Sequence, residues 1–216
     1  MKFLLPPTLL AALLVLTSFI NGNSISKPTV PSPLSSYSTL WDDAKYLKCN
    51  TASGVNYMSA SEKEVIYILN MARTNPVLFA NTVIKQYPEK AGQKSLYNSH
   101  YYKSLLDTML KLDPVSLLFP DTLCYNGAEC HAINSGKEGY IGHQRSKTCL
   151  KKWKFNAECC DYGHNKALDI LMALLIDEDV PSLGHRYICI STYKKIGVSI
   201  QPHKSYNYNA VLDFLY

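Results

Sequence analysis

Among its seven cysteines the chain has no C-x-x-C pair, which excludes the paired-thiolate zinc sites and dithiol redox motifs that depend on that spacing. Charge is sparse: 18% of the 216 residues carry it, and the formal excess of +5 is spread along the chain. Only Lys147, Lys151, Lys152 and Lys154 cluster, and they read as a solvated basic loop with no nucleic-acid motif beside them, so nucleic acid is excluded as a partner. No apolar run is long enough to span a bilayer, because the stretch from Phe3 to Phe19 is too short and too weakly flanked. No cysteine follows that stretch directly, the first being Cys49, so the usual lipid-anchoring arrangement is missing as well.

What is there begins with Met1-Lys2 ahead of the apolar run and Gly22 behind it, which predicts a signal peptide over residues 1–22. The expected product is secreted or periplasmic, with no membrane-spanning segment after cleavage. Serine and proline dominate from Asn23 to Leu40, and residues 23–56 read as a linker and N-terminal extension, with order beginning near Tyr57. The remainder, 57–216, has the length and apolar content of one domain with one core.

In an exported chain, seven cysteines favour disulfides. Adjacent Cys159 and Cys160 point to opposite faces of a strand and so reach different partners, for which Cys149 and Cys189 are candidates. Cys49, Cys124 and Cys130 then leave an odd thiol, read as a buried spectator rather than a nucleophile.

Helix signals come early. Ser59 and Glu62 have capping-box spacing ahead of Val65, Ile68, Leu69 and Ala72. Asn75-Pro76 ends that helix and caps the next, whose core face continues through Phe79, Val83 and Ile84. Further helices are predicted from Ser99 to Leu112, from Asp121 to about Ser135, where His131 reads as a packed helix residue, and from Asn165 to Ile176, the last nearly all apolar. Gly197–Ile200 and Tyr206–Phe214, joined by Pro202-His203-Lys204-Ser205, predict a terminal antiparallel hairpin. Helices first and a hairpin last give an α+β domain.

Three Gly-His pairs, Gly142-His143, Gly163-His164 and Gly184-His185, recur every 21 residues, with Glu158, Asp177 and Glu178 among them. The positions six beyond each histidine, Cys149, Ile170 and Ser191, share no pattern, so the pairs mark three loops of one domain rather than a repeat. Imidazoles and carboxylates at this density point to a polar site.

The segments Leu69-Asn-Met-Ala-Arg73-Thr-Asn-Pro76, Ala128-Glu-Cys-His131-Ala132, Gly139-Tyr-Ile-Gly142-His143, Ala157-Glu158-Cys159, Leu174-Leu-Ile-Asp177, Val180-Pro-Ser-Leu-Gly184-His185-Arg186 and Ile196-Gly197-Val198 together resemble the CAP superfamily. That superfamily comprises the cysteine-rich secretory, antigen 5 and pathogenesis-related 1 proteins, and the chain is closest to its bacterial extracellular (SCP-like) form. The resemblance covers nearly everything from Tyr57 onward. It implies an α+β fold arranged as a three-layer α-β-α sandwich, with an antiparallel central sheet flanked by helices. It also implies a cleft shared by two histidines and two acids, falling here on His143, Glu158, Glu178 and His185, with Asp177 as the alternative to Glu178. Ala157-Glu158-Cys159 departs from the family's Gly-Glu-Asn by losing the asparagine. His164 lies outside the tetrad and ranks as a lesser candidate ligand.

Two imidazoles and one or two carboxylates are a donor set for a divalent metal, zinc foremost, with a position left open. The same residues could equally form a buried network that locks a loop to a helix. Three functions follow as expectations. The resemblance favours an extracellular binding module for a metal, a small molecule, a lipid, or a protein or cell-wall ligand. The second is a metal-assisted hydrolase of peptide or cell-wall substrates with Glu158 as catalytic base. The third is a structural secreted factor that needs neither metal nor ligand. Arg186 reads as a clamp within the fold, and most of the sixteen tyrosines as packing residues.

Overall fold

A computed structural model describes residues 31–152 and 155–216, except the side chains at 151 and 152. The predicted signal peptide, the start of the predicted linker, and the side chains of Lys151, Lys152 and Lys154 lie outside the described residues.

Residues 31–56, expected as linker, are instead part of the folded unit. Two short 3-10 helices, Thr39–Asp42 and Ala44–Cys49, are capped by Ser38 and Asp43 and bury Trp41, Tyr46 and Cys49 in the core. The serines and prolines set the local turns, while a few large apolar side chains do the anchoring, and the Trp41 indole donates to Thr82 Oγ1 at 3.0 Å.

Helix α1, Ala60–Thr74, starts on the predicted capping box, with Ser59 Oγ accepting from Glu62 N and Glu62 Oε2 accepting from Ser59 N. Its inner face carries more than apolar residues. Asn70 exchanges hydrogen bonds with the backbone of Leu118, and the buried Arg73 donates to the carbonyls of Ser116, Cys189 and Tyr193. Helix α2, Pro76–Phe79, opens on the Asn75 cap and runs through a wider π turn, Ala80–Ile84, into α3, Lys85–Lys90. Pro88 has no N–H to give the Ile84 carbonyl, and the Tyr102 hydroxyl of α4, His100–Lys111, supplies that bond at 3.0 Å.

A two-residue strand β1, Phe119–Pro120, precedes α5, Thr122–Glu138, which is capped by Asp121 and closed by left-handed Gly139. Then follow α6, Lys147–Lys152; β2, Ala157–Tyr162; α7, Ala167–Ile176; α8, Gly184–Cys189; and the hairpin β3, Lys195–His203, with β4, Asn207–Leu215. The sheet order is β1-β3-β4-β2. The domain is α+β, as expected, but its sheet is mixed rather than antiparallel, because β1 pairs parallel with β3. A two-residue strand that contains a proline leaves no periodic trace in the sequence.

Side chains alternate across β3 and β4. Ile196, Val198, Ala210, Leu212 and Phe214 face the large core shared with α1 and α7, while Val211 joins Ala128 and Ala132 of α5 on the other face. Helix α5 lies directly against β3 at Gly197, where a Cβ would stand 2.0 Å from the Tyr125 nitrogen, so no other residue fits there. Strand β2 has one free edge, and the predicted site residues gather around it.

Candidate metal and ligand cleft

Strand β2 sends Glu158 and Cys160 to the α5 side and Cys159 and Asp161 to the side of α7 and α8. His143 reaches Glu158 from the loop after α5. Gly142, at φ 122°, turns that loop, and its backbone is held from two sides: its N–H donates to Tyr162 Oη and its carbonyl meets His131 Nε2 at 2.9 Å. His143 Nδ1 lies 2.8 Å from Glu158 Oε1, and the imidazole side chain is 54% exposed. The hydrogen bond to Glu158 raises the His143 pKa.

His185 comes from the other side. Asp177 ends α7 in the left-handed region at φ 57°, and its Oδ1 meets His185 Nδ1 at 2.7 Å. Its Oδ2 accepts from the backbone N–H groups of His185 and Arg186, so one carboxylate both starts α8 and orients the imidazole. The His143 and His185 rings stand 5.6 Å apart. Glu178, ranked ahead of Asp177 from sequence, accepts instead from Ser99 Oγ at 2.6 Å and makes no hydrogen bond to either ring. Both carboxylates line the cavity next to His185, but only Asp177 bonds to a ring. His164 pairs with Asp161 at 3.1 Å, and that bond raises its pKa, while burial raises the Asp161 pKa.

Beneath His143 lies a charge cluster that sequence reading missed. Buried Arg145 donates to the Gly127 carbonyl, to Glu158 and to Asp213, the residue opposite Glu158 in the β2–β4 register. Its guanidinium also stacks 4.1 Å from the centre of the Phe155 ring. Burial pushes Glu158 up, but the His143 hydrogen bond and the Arg145 charge outweigh it and hold the carboxyl below its usual range. Burial and the Glu158 charge push Asp213 up to about 8, although Arg145 pulls the other way. One guanidinium thus serves two carboxyls, and their environments push the two pKa values apart. An acid in the otherwise apolar run Ala210-Val-Leu-Asp213-Phe214 was the available signal for this cluster. Arg145 sits in an aperiodic loop and gave none.

Among known families, no profile matches the chain, and no curated protein matches it. A solved structure of an outer surface protein from Borrelia burgdorferi is similar, at 23% identity and a TM-score of 0.37, covering 56% of this chain and 92% of that one.

Two groupings of donors adjoin. The ligand atoms of buried His131, Glu158 and Cys160 lie within 4.8 Å of one another, close enough to hold a metal ion. Chemistry there is unfavourable: His131 Nε2 is committed to the Gly142 carbonyl, burial pushes the Cys160 thiol up and keeps it protonated, and the Arg145 cation is already on Glu158. The second grouping is the His143–His185 pair, where each ring spends Nδ1 on a carboxylate and keeps Nε2 free. Beside it a cavity of about 460 Å³ is walled by Tyr87, Leu96, Leu174, Ile176 and Val180, with Gln93, Asp161, His164, Asp177, Glu178 and His185 among its polar groups.

The bridge between Cys130 and Cys149 corrects the expected pairing of Cys149 with the Cys159-Cys160 pair. Cys130 leaves α5 on the side where α6 packs, so the disulfide staples two helices and does not tie the site loops together. Arg186 is a fold clamp, as expected, but it holds backbone carbonyls of Tyr101, Leu175 and Ile176 rather than a carboxylate.

Proposed function

We propose that the chain is a secreted binding module of the CAP type, with that family's three-layer arrangement of helices on both faces of the sheet. Its cleft at the free edge of β2 takes a divalent cation, zinc foremost, and the adjoining cavity takes a small or lipid ligand. The observation that carries this reading is the pair of imidazoles 5.6 Å apart, each with Nδ1 on a buried carboxylate. A carboxylate at Nδ1 fixes the tautomer and raises the basicity of Nε2, the arrangement found behind zinc-ligating histidines.

The donor set therefore fits the ion. His143 and His185 would hold it through Nε2, and Glu158 and Asp177 would orient the rings rather than ligate, since hydrogen bonds already occupy both oxygens of each carboxylate. The bound cation would supply Lewis acidity toward an anionic or carbonyl group of the ligand. Two protein donors leave positions open for exchange, which suits capture of a ligand more than a structural metal. The apolar walls of the cavity and its polar groups match an amphipathic molecule.

Hydrolysis is less well supported. Glu158, the candidate base, is buried and engaged by both His143 and Arg145, whereas a general base needs a free lone pair within reach of the nucleophile. The disulfide, and the lack among the described residues of any helix long and apolar enough to cross a membrane, are compatible with an extracellular location.

Calorimetric zinc titration of the oxidised protein tests the reading. One equivalent should bind, and the His143→Ala/His185→Ala double variant should bind none while keeping its circular dichroism spectrum. Asp177→Asn should weaken affinity by about 10–100-fold, the usual cost of losing such an orienting partner. A wild-type protein that takes up no zinc, or a double variant that binds as wild type does, would sink the proposal.

A further inference from the structure

The five cysteines outside the disulfide are all buried, and two of them, Cys159 and Cys189, lie where β2 packs against α8. Cys159 sits on β2 facing α8, and its sulfur lies 3.7 Å from the His185 carbonyl. That carbonyl is one helical turn before Cys189, the last residue of α8, on the same helix face. The two thiols are unbonded here, and both are buried in the same core cluster. Cys160 points across the strand toward His143 and the α5 cluster and has no sulfur partner there.

We propose that Cys159 and Cys189 form a second disulfide in the mature protein, joining the centre of β2 to the end of α8. A chain that bridges Cys130 to Cys149 matures where thiols are oxidised, and the same conditions act on this pair. Two thiols lose two protons and two electrons, the sulfur–sulfur bond forms, and the electrons pass to the disulfide of a thiol oxidase or of oxidised glutathione, which becomes two thiols.

The timing follows from burial. Both residues are fully enclosed in the finished fold, and burial pushes the Cys159 thiol up, so that thiol is a poor nucleophile and the pair is shielded from exchange. Oxidation therefore belongs to folding, before α8 closes on β2, and the finished bond is sealed from reductants. Cys159 adjoins Glu158, and Cys189 ends the helix that carries His185. The bond would thus fix covalently the spacing of the two halves of the cleft, whether or not that cleft holds a cation.

Protein secreted from an oxidising compartment, denatured without reductant and treated with a maleimide, gives the answer by mass. Three labels are expected, on Cys49, Cys124 and Cys160, and a non-reducing peptide map should show Cys159 joined to Cys189. Five labels, or a bridge from Cys159 to any other cysteine, would overturn the proposal. In the Cys189→Ala variant four labels are expected, with Cys159 newly reactive. Because the deciding measurement is made on the wild-type chain after denaturation, misfolding of the variant would not obscure it.

Discussion

The two faces of the β3–β4 hairpin are built from the same two strands in alternation, yet they differ in character. Toward α1 and α7 it presents Ile196, Val198, Ala210, Leu212 and Phe214, all enclosed and apolar. Toward α5 it presents Ser199, Asn209 and Asp213 around Val211, equally buried, and Asp213 reaches Arg145 and, across the register, Glu158. The first face can lose a contact and settle. The second cannot, because each member compensates another's desolvation, and removing one leaves a charge or dipole stranded. Already Arg145 Nε, Asn209 Oδ1 and Asp213 Oδ2 are unpartnered among the described residues. Such a cluster fixes positions at a cost, and the position it fixes is that of Glu158, which aims His143.

Arg145→Ala should break the comparison most sharply. It leaves two carboxyls without their cation and should cost about 3–5 kcal/mol, the range seen when one partner of a buried ion pair is removed. Urea unfolding measures it, and a loss below 1 kcal/mol would mean that the guanidinium contributes little. On the opposite face, Leu212→Ala should cost about 3 kcal/mol through the cavity it leaves. Its cost should be the same at pH 5 and pH 8, since burial pushes the Cys159 thiol opposite it up and out of that range.

Asp213→Asn sharpens the contrast through pH. The folded state raises the Asp213 pKa from 3.8 to about 8, so the residue's contribution is complete below 3.8 and is lost as pH rises through 8. Glu158 runs the other way: its pKa is lowered, so its contribution is present above the ordinary carboxylate range and is lost as pH falls. Asparagine mimics the protonated acid, so the stability of Asp213→Asn relative to wild type should improve steadily from pH 4 to pH 8. Parallel curves would show that Asp213 is ionised throughout. The smallest effect is expected at Glu178→Gln, which should leave zinc affinity unchanged, because that carboxylate belongs to Ser99.

Legibility in the sequence followed the same division. Ser59, Asn75, Ser99 and Asp121 announced their helices, since a cap is a local arrangement a few residues long. The β3–β4 hairpin was legible from alternation, although its strands run further than expected, into the predicted turn at Pro202 and His203. The Gly-His pairs marked the loops that carry His143, His164 and His185, but which of Asp177 and Glu178 bonds to His185 was not legible, because a one-residue difference of direction depends on the backbone turn. Arg145 and β1 were invisible for a related reason: their partners are distant in sequence and impose no period. Residues 31–56 misled because composition counts many serines and prolines, whereas a few buried residues, Leu34, Trp41, Tyr46, Cys49 and Ala52, decide that the segment packs.

Asp177 joins two duties in one carboxylate, starting α8 and aiming His185. The consequence is historical. A descendant that ceased to bind anything would still be penalised for losing this aspartate, because the helix would lose its beginning. Finding it in a related chain therefore vouches for an intact fold and says nothing of retained activity. His143, half open to solvent and held at one ring nitrogen by Glu158 and Cys160, starts no helix, so it is the freer of the two histidines to drift.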